Sequence, residues 1–492
     1  MQAPPIKWLL EAAANRPNDL AIRFADASWS FERLADEVLR TADVLTDHEF
    51  PSRTRIGLVF GAGPAYVTSL LGTLAAGLVA VPMSPVFAPR EYAAHIRRNA
   101  LAAIITDPTN ARHCHIAMAE AATSGPVLTI GESRFGDDIA SEIAKASPGT
   151  AAAVAADDIS IVLHTAGSTG RSKLVPRTNR QVAAECDNVA QSLHTSPDDT
   201  IFGILPLYHC HGLFNTLFAA LRAQCGLSLF LDTRPFVLAR EDVLTTMVRD
   251  RVTVVPSIPF QLERLLPVTG RYDLSSVRLC FTGGAALKPE TFHDFRDRFG
   301  LAVRQQYGCT EAGAVTLNLD EDVDASAATA GKPLLNVEVS VLDKDGAGEG
   351  EIFVRSAALT TGYEGMDDLN RQVFVDGGFR TGDLGRIDAS GNLIVTRRRA
   401  IYIDVAGHKV DSSEVEDVLN ELPGVRGTLV VATEATPAAM KAVIACESPL
   451  DTRVVREFCR ERLASYKVPS VFEFCDELPR SELGKRPYRL SQ

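Results

Sequence analysis

The 492-residue chain is 46% hydrophobic and 23% charged, an ordinary globular composition too long for one core, so two or more domains are expected. A formal net charge of −12 argues against nucleic acid or an anionic membrane held by bulk charge, and any anionic ligand must be held locally. The nine cysteines are odd in number and lack a CxxC pair, which points away from a disulfide framework or zinc site and toward reducing cytoplasm.

The amino terminus has one lysine and a brief apolar run, unlike a secretory signal. The apolar run from Leu70 to Met83 contains Gly72, Gly77 and Pro82 and is too short to span a bilayer, so a soluble protein is expected. Spacing predicts helices over Ile6 to Ala14 and Phe31 to Leu45, with a hairpin from Ala21 to Phe24 and Ser28 to Phe31 between them. Strands Arg55 to Phe60, Leu78 to Val81 and Ala103 to Thr106 then alternate with helices, the pattern of a largely parallel sheet. The turn at Gly61 to Tyr66 lacks the third glycine of a dinucleotide fingerprint and contains Pro64, so it is discounted. Ser147 to Ala156 is an alanine-rich connector.

After strand Ile159 to Leu163 comes HTAGSTGRSK, a Gly/Ser/Thr loop with one lysine. Gly167 and Gly170 allow backbone N–H groups to turn toward an anion, Thr165, Ser168 and Thr169 add hydroxyls, and Lys173 adds a point charge. Arg171 and Ser172 separate the last glycine from the lysine, so this is not a P-loop NTPase. Taken alone, such a loop reads equally well as a flexible polar turn.

The alternation resumes with strand Thr200 to Pro206, helix Gly212 to Arg222, strand Leu227 to Leu231, helix Glu241 to Arg251 and strand Val252 to Val255. Strand Val277 to Phe281 ends in FTGGAAL, and QYGCTEAG follows. In open α/β sheets ligands collect at such carboxyl ends, and three strands here end in polar or glycine-rich turns. Thr282 to Ala285, including Gly283 and Gly284, would let an aromatic base lie against the backbone. Tyr307 could stack on that base, with Gly308 keeping the approach open. Glu311 is an oxygen ligand suited to Mg²⁺.

Beyond Gly331 short strands and hairpin turns form a smaller β region, in which Asp383 of GGFRTGDLG lies on a bend and can accept both hydroxyls of a ribose. A linker is expected after the arginine run 397–399, dividing the chain into residues 1–398 and 399–492. The second part reads as α+β, with a capping box from Ser413 to Glu416 opening a helix to Leu422, and Lys485 near its end.

These motifs, in this order, resemble the acyl-adenylate-forming superfamily of acyl-CoA synthetases, adenylation domains and luciferases, over nearly the whole chain. HTAGSTGRSK resembles the phosphate loop, LPLYHCHG the aromatic/histidine segment, FTGGAAL and YGCTEAG the adenine segments, FRTGDLG the ribose aspartate and PRSELGK the terminal lysine. The resemblance implies an α/β fold: a large N-terminal domain of layered αβ sheets plus a β-barrel-like region, with a small mobile α+β C-terminal domain. It implies ATP-dependent activation of a carboxylic acid to acyl-AMP with release of pyrophosphate, then transfer to a thiol, either coenzyme A or carrier-protein phosphopantetheine acting in trans. Residues 165 to 173 would hold the β and γ phosphates, Thr310 would touch the α-phosphate, Glu311 would hold Mg²⁺, and Lys485 would bridge the attacking carboxylate and the α-phosphate. Alignment places Arg398 on the ribose arginine, Ala400 at the hinge and Asp404 where a lysine often stands, and the arginine triplet permits a one-residue slip. The competing reading is a non-catalytic nucleotide-binding relative serving as an interaction protein.

The wording is nearest to oxalate and other short-acid CoA ligases, with His209 at the pocket gate. Phe202 to Leu231 contains no Asp or Glu, the segment where amino-acid-activating relatives carry an aspartate for the ammonium. A small acid lacking an α-amine is expected.

Overall fold

The computed structural model describes the chain except residues 62, 166–172, 231–233, 235, 399–401, 434–438, 447, 449, 476–477 and 479–492. At 325–326, 397–398, 402 and 413 only the backbone is described. The expectations that fall on Gly167, Ser168, Thr169, Gly170, Ala400 and Lys485 therefore lie outside the described residues.

Two αβ sheets dominate. The seven-stranded one is parallel where helices return the chain, as in Arg55–Val59 beside Val79–Met83 and Ala103–Thr106. Its last pair is antiparallel, Ile159–Thr165 against Lys173–Thr178, so the phosphate-type loop tops a hairpin at the sheet edge. The nine-stranded sheet carries parallel strands Thr200–Gly203, Gly226–Leu229, Val254–Ser257, Leu279–Thr282 and Val303–Cys309. The expected N-terminal hairpin forms, Leu20–Phe24 with Ala27–Ser30, but it joins this second sheet, Ile22 opposite Leu227. Helix Phe31–Asp47 has the predicted face, burying Leu34, Val38 and Leu45, and Ser30 caps it by accepting from the Arg33 N–H.

A five-stranded antiparallel sheet follows, including Val337–Leu342, Gly350–Ser356, Gly378–Ile387 and Leu393–Arg398. Beyond it lie a two-stranded hairpin, Tyr402–Val405 with His408–Asp411, and a three-stranded sheet with its own apolar core. Among the described residues no helix is long and apolar enough to cross a membrane.

Several local expectations shift. The strand expected over Thr200 to Pro206 ends at Gly203, and the helix expected from Gly212 begins at Cys210 and passes through a π turn at Leu213–Leu217. Asp383 lies within the strand Gly378–Ile387, not on a bend, because that strand pairs with neighbours on both sides. The capping box is also corrected. The helix starts at Ser412, so Ser413 is already inside it, and Glu416 Oε1 accepts the Val430 N–H at 2.8 Å.

Candidate active site

The carboxyl ends of the strands converge on a cavity of about 480 Å³. Of the residues singled out from the sequence, Thr165, Lys173, His209, Gly283, Gly284, Gly308, Thr310, Glu311 and Asp383 line it.

Thr165 and Lys173 are opposite each other where the hairpin leaves its loop. The Thr165 hydroxyl is buried with no protein partner, an orphan that an anionic oxygen would satisfy. Burial lowers the Lys173 ammonium below its ordinary value, an effect opposed by Glu311 and by Asp411 of the C-terminal hairpin. Its Nζ stands 4.6 Å from the Tyr363 ring centre. Tyr363 in turn donates its hydroxyl to Glu311 Oε1 at 2.6 Å, fixing that carboxylate beside the lysine. One carboxylate next to a phosphate site is the usual protein share of a Mg²⁺ site, because the ion keeps phosphate and water ligands. The donor set therefore fits Mg²⁺, and among the described residues no group of three or more His, Cys, Asp or Glu forms a larger metal cage.

Asp383 lines the same cavity. It is buried, and its Oδ2 accepts the Tyr307 hydroxyl at 2.8 Å. Tyr307 itself packs into the main core. Neither Tyr307 nor Ala285, which is exposed after the adenine-type turn, is among the residues that line the cavity. Arg398 stands directly opposite Asp383 in the antiparallel ladder, whereas Arg397 stands opposite Leu384.

The histidine segment supplies a third wall. His209 is exposed onto the cavity, with His408 and Lys409 nearby. Burial lowers His211 to about 4 and His164 to about 4, so both are neutral at pH 7.

Sequence reasoning missed a buried pair behind this wall. The helix Asn179–Ser192 is opened by Thr178 and Gln181, a reciprocal cap, which turns Glu185 inward with Val182, Cys186 and Val189. Glu185 Oε2 takes Arg177 at 2.7 Å, and the same guanidinium donates to the Thr310 and Ala358 carbonyls. Alternation along the strand and helical spacing contained the positions, but nothing in the sequence paired them.

The C-terminal region closes the cavity with Ala406, Gly407, His408, Lys409 and Tyr466. Gly407 has φ +88° and a Cβ there would meet Ile258 Cδ1 at 2.4 Å, so only glycine permits this approach. His408 stacks on Tyr466, ring centres 4.1 Å apart. Lys467, almost fully buried, binds Glu91 Oε1 at 2.6 Å and Glu414 Oε1 at 2.8 Å, and Arg90 forks onto Glu421.

Comparison with known proteins gives a consistent set. Residues 9–364 match the family model for AMP-binding enzymes, and residues 414–485 match that for the AMP-binding enzyme C-terminal domain. The chain is 28% identical over 473 residues to a long-chain-fatty-acid–CoA ligase of Mycobacterium tuberculosis, covering 94% of this chain and 92% of that protein. It is 33% identical over 337 residues to the 2-succinylbenzoate–CoA ligase of Bacillus licheniformis, covering 67% and 69%. Among solved structures, the amide bond synthetase of Marinactinospora thermotolerans superposes with a TM-score of 0.87 at 27% identity, covering 99% of this chain and 98% of that one.

Proposed function

The chain belongs to the AMP-binding enzyme family, and we propose that it is an acid–thiol ligase acting on a small carboxylic acid without an α-amine. A carboxylate oxygen attacks the α-phosphorus of ATP, the α–β bond breaks and pyrophosphate leaves. The thiol sulfur then attacks the acyl carbon and AMP leaves. The observation that carries this reading is the gathering of Thr165, Lys173, Glu311 and Asp383 on one cavity.

In this reading Thr165 and Lys173, with the 166–172 loop, bind the β and γ phosphates, and Thr310 contacts the α-phosphate. Glu311, held by Tyr363, is the protein ligand for Mg²⁺. Bound there, the ion would neutralise phosphate charge. Asp383 accepts the ribose hydroxyls, and its register partner Arg398 is the choice among the three arginines for the ribose arginine. His209 gates the acyl side. Lys485 bridges the attacking carboxylate and the α-phosphate, worth on the order of 3 kcal/mol of barrier for a charge positioned in a water-poor site.

We place the domain division at 398/399 and the thiol route along the Ala406–Lys409 loop. The acceptor is coenzyme A or a carrier-protein phosphopantetheine in trans. Nine free cysteines suit a reducing cytoplasm.

Pyrophosphate exchange over a panel of acids tests the reading. Lys485→Ala should abolish exchange and spare thiolysis of supplied acyl-AMP, and Ala400→Asp should alter thioester formation while exchange persists. Exchange at the wild-type rate in Lys485→Ala would remove the terminal lysine from the mechanism. Absence of exchange with every acid would favour the non-catalytic alternative.

A further inference from the structure

Resting on the ligase reading, we infer that Tyr363 is a positioning residue that holds Lys173 and Glu311 apart, keeping the ammonium for phosphate and one carboxylate oxygen for the divalent cation. One side chain touches both groups. Its hydroxyl donates to Glu311 Oε1 at 2.6 Å, and the Lys173 ammonium stands 4.6 Å from the centre of its ring. All three residues line the cavity.

A lysine and a carboxylate facing one partly buried cavity gain Coulomb energy by pairing directly. Glu311 is near enough to favour the charged form of Lys173, yet among the described residues no ion pair joins the two. Such a pair would close both groups to their ligands, because its bond must break before the lysine takes a phosphate oxygen. Tyr363 gives each group another partner. The ring face attracts the ammonium, and the hydroxyl occupies Oε1 with a charge-assisted hydrogen bond. Among the described residues nothing donates to Glu311 Oε2, which leaves that oxygen as the ligand atom for a hard cation.

The backbone around Tyr363 is tied to the two elements that carry these groups. The Thr360 N–H donates to the Glu311 carbonyl at 2.8 Å, and its hydroxyl donates to the Pro176 carbonyl at 2.7 Å, on the strand that begins at Lys173. The Glu364 N–H donates to the Leu174 carbonyl of the same strand at 3.1 Å. Between them the Asn370 side chain accepts the Tyr363 N–H at 2.8 Å and donates to its carbonyl at 2.7 Å. The ring packs edgewise on Phe374, with centres 5.4 Å apart. Tyr363 is thus fixed relative to both charges at once.

The test is ATP binding to the full chain, measured by calorimetry in EDTA so that neither metal nor turnover enters. Tyr363→Phe removes the hydroxyl and lets Glu311 swing onto Lys173, so metal-free ATP should bind about tenfold more weakly. Adding Glu311→Gln to that variant removes the competing carboxylate and should restore most of the loss. In the wild-type background, where the two groups are already kept apart, Glu311→Gln should improve metal-free binding several-fold less. Tyr363→Leu, which also takes the ring from Lys173, is the second variant and should show the same dependence on Glu311 more strongly.

A merely structural tyrosine predicts the same gain from Glu311→Gln in every background. That equality, or unaltered metal-free ATP binding in both Tyr363 variants, overturns the inference and leaves the ligase reading standing. A wild-type chain that binds no ATP, with or without Mg²⁺, overturns both.

Discussion

Two buried ionic clusters bear on the cavity, and they differ in what they join. Arg177 and Glu185 lie eight residues apart within the N-terminal region, are both essentially inaccessible, and tie a strand, a helix and the Thr310 and Ala358 backbones into one wall. Lys467 with Glu91 and Glu414 instead connects a C-terminal lysine to a helix start nearly four hundred residues earlier in the chain. Glu91 also accepts the Ala88 N–H, so the helix is capped by the same carboxylate that docks the C-terminal region. The first cluster has no escape short of unfolding, whereas the second, under the proposed division at 398/399, separates when the C-terminal region undocks and its charges hydrate. Buried pairs of similar geometry should therefore differ in consequence.

Arg177→Met should show the largest effect, about 3–5 kcal/mol lost from global stability, because Glu185 would be left buried and unpaired. Urea unfolding measures it, and exchange and thiolysis should fall together. An unchanged unfolding midpoint would remove the distinction drawn between the clusters.

Lys467→Met should cost about 1–3 kcal/mol of docking free energy rather than global stability. Limited proteolysis should release the C-terminal region faster while the main melting transition stays in place. Thiolysis should change more than exchange, since the loop roofing the cavity, Ala406–Lys409, is carried by the docked region. Equal loss in both half-reactions would contradict this.

Acid should act on the first region before the second. His164 and His211 have folded pKa values lowered to about 4 by burial, against about 6.5 in the unfolded chain. Between pH 6.5 and pH 4 the unfolded chain therefore binds more protons, and stability falls as pH falls through that window. The melting temperature should drop from pH 7.5 to pH 5.5 and again at pH 4.5. A flat profile would mean that these rings are hydrated.

Arg90→Ala should show the smallest effect, below about 1 kcal/mol and vanishing at high salt, because the Arg90–Glu421 fork is half exposed. Comparing it with Lys467→Met at one salt concentration separates burial from mere charge pairing.

The pairing of Thr165 with Lys173 was legible because it is local. Thr165 and Lys173 flank one loop on a hairpin, and their chemistry follows from residue types a few positions apart. Glu311 was legible as a ligand type, but its fixing by Tyr363, fifty-two residues on, was not. Tyr307 was legible as a partly buried aromatic, but its hydroxyl bond to Asp383, seventy-six residues on, was not. The Ser413 to Glu416 spacing matched a capping box, yet a neighbouring strand offered Glu416 the Val430 N–H.

The sequence by itself determined the alternation of strands and helices, the polar turns at strand ends and the residue types that phosphate, ribose and a divalent cation require, because periodicity and turn chemistry act over a few residues. Only the tertiary structure decided that Glu185 stands in for a side chain at Gly313, that Arg398 faces Asp383 across a ladder, and that Lys467 pins the cavity's roof to Glu91. Those placements depend on strand register, on how much room a glycine leaves and on which buried charges find each other across hundreds of residues, quantities that packing sets and local spacing does not encode.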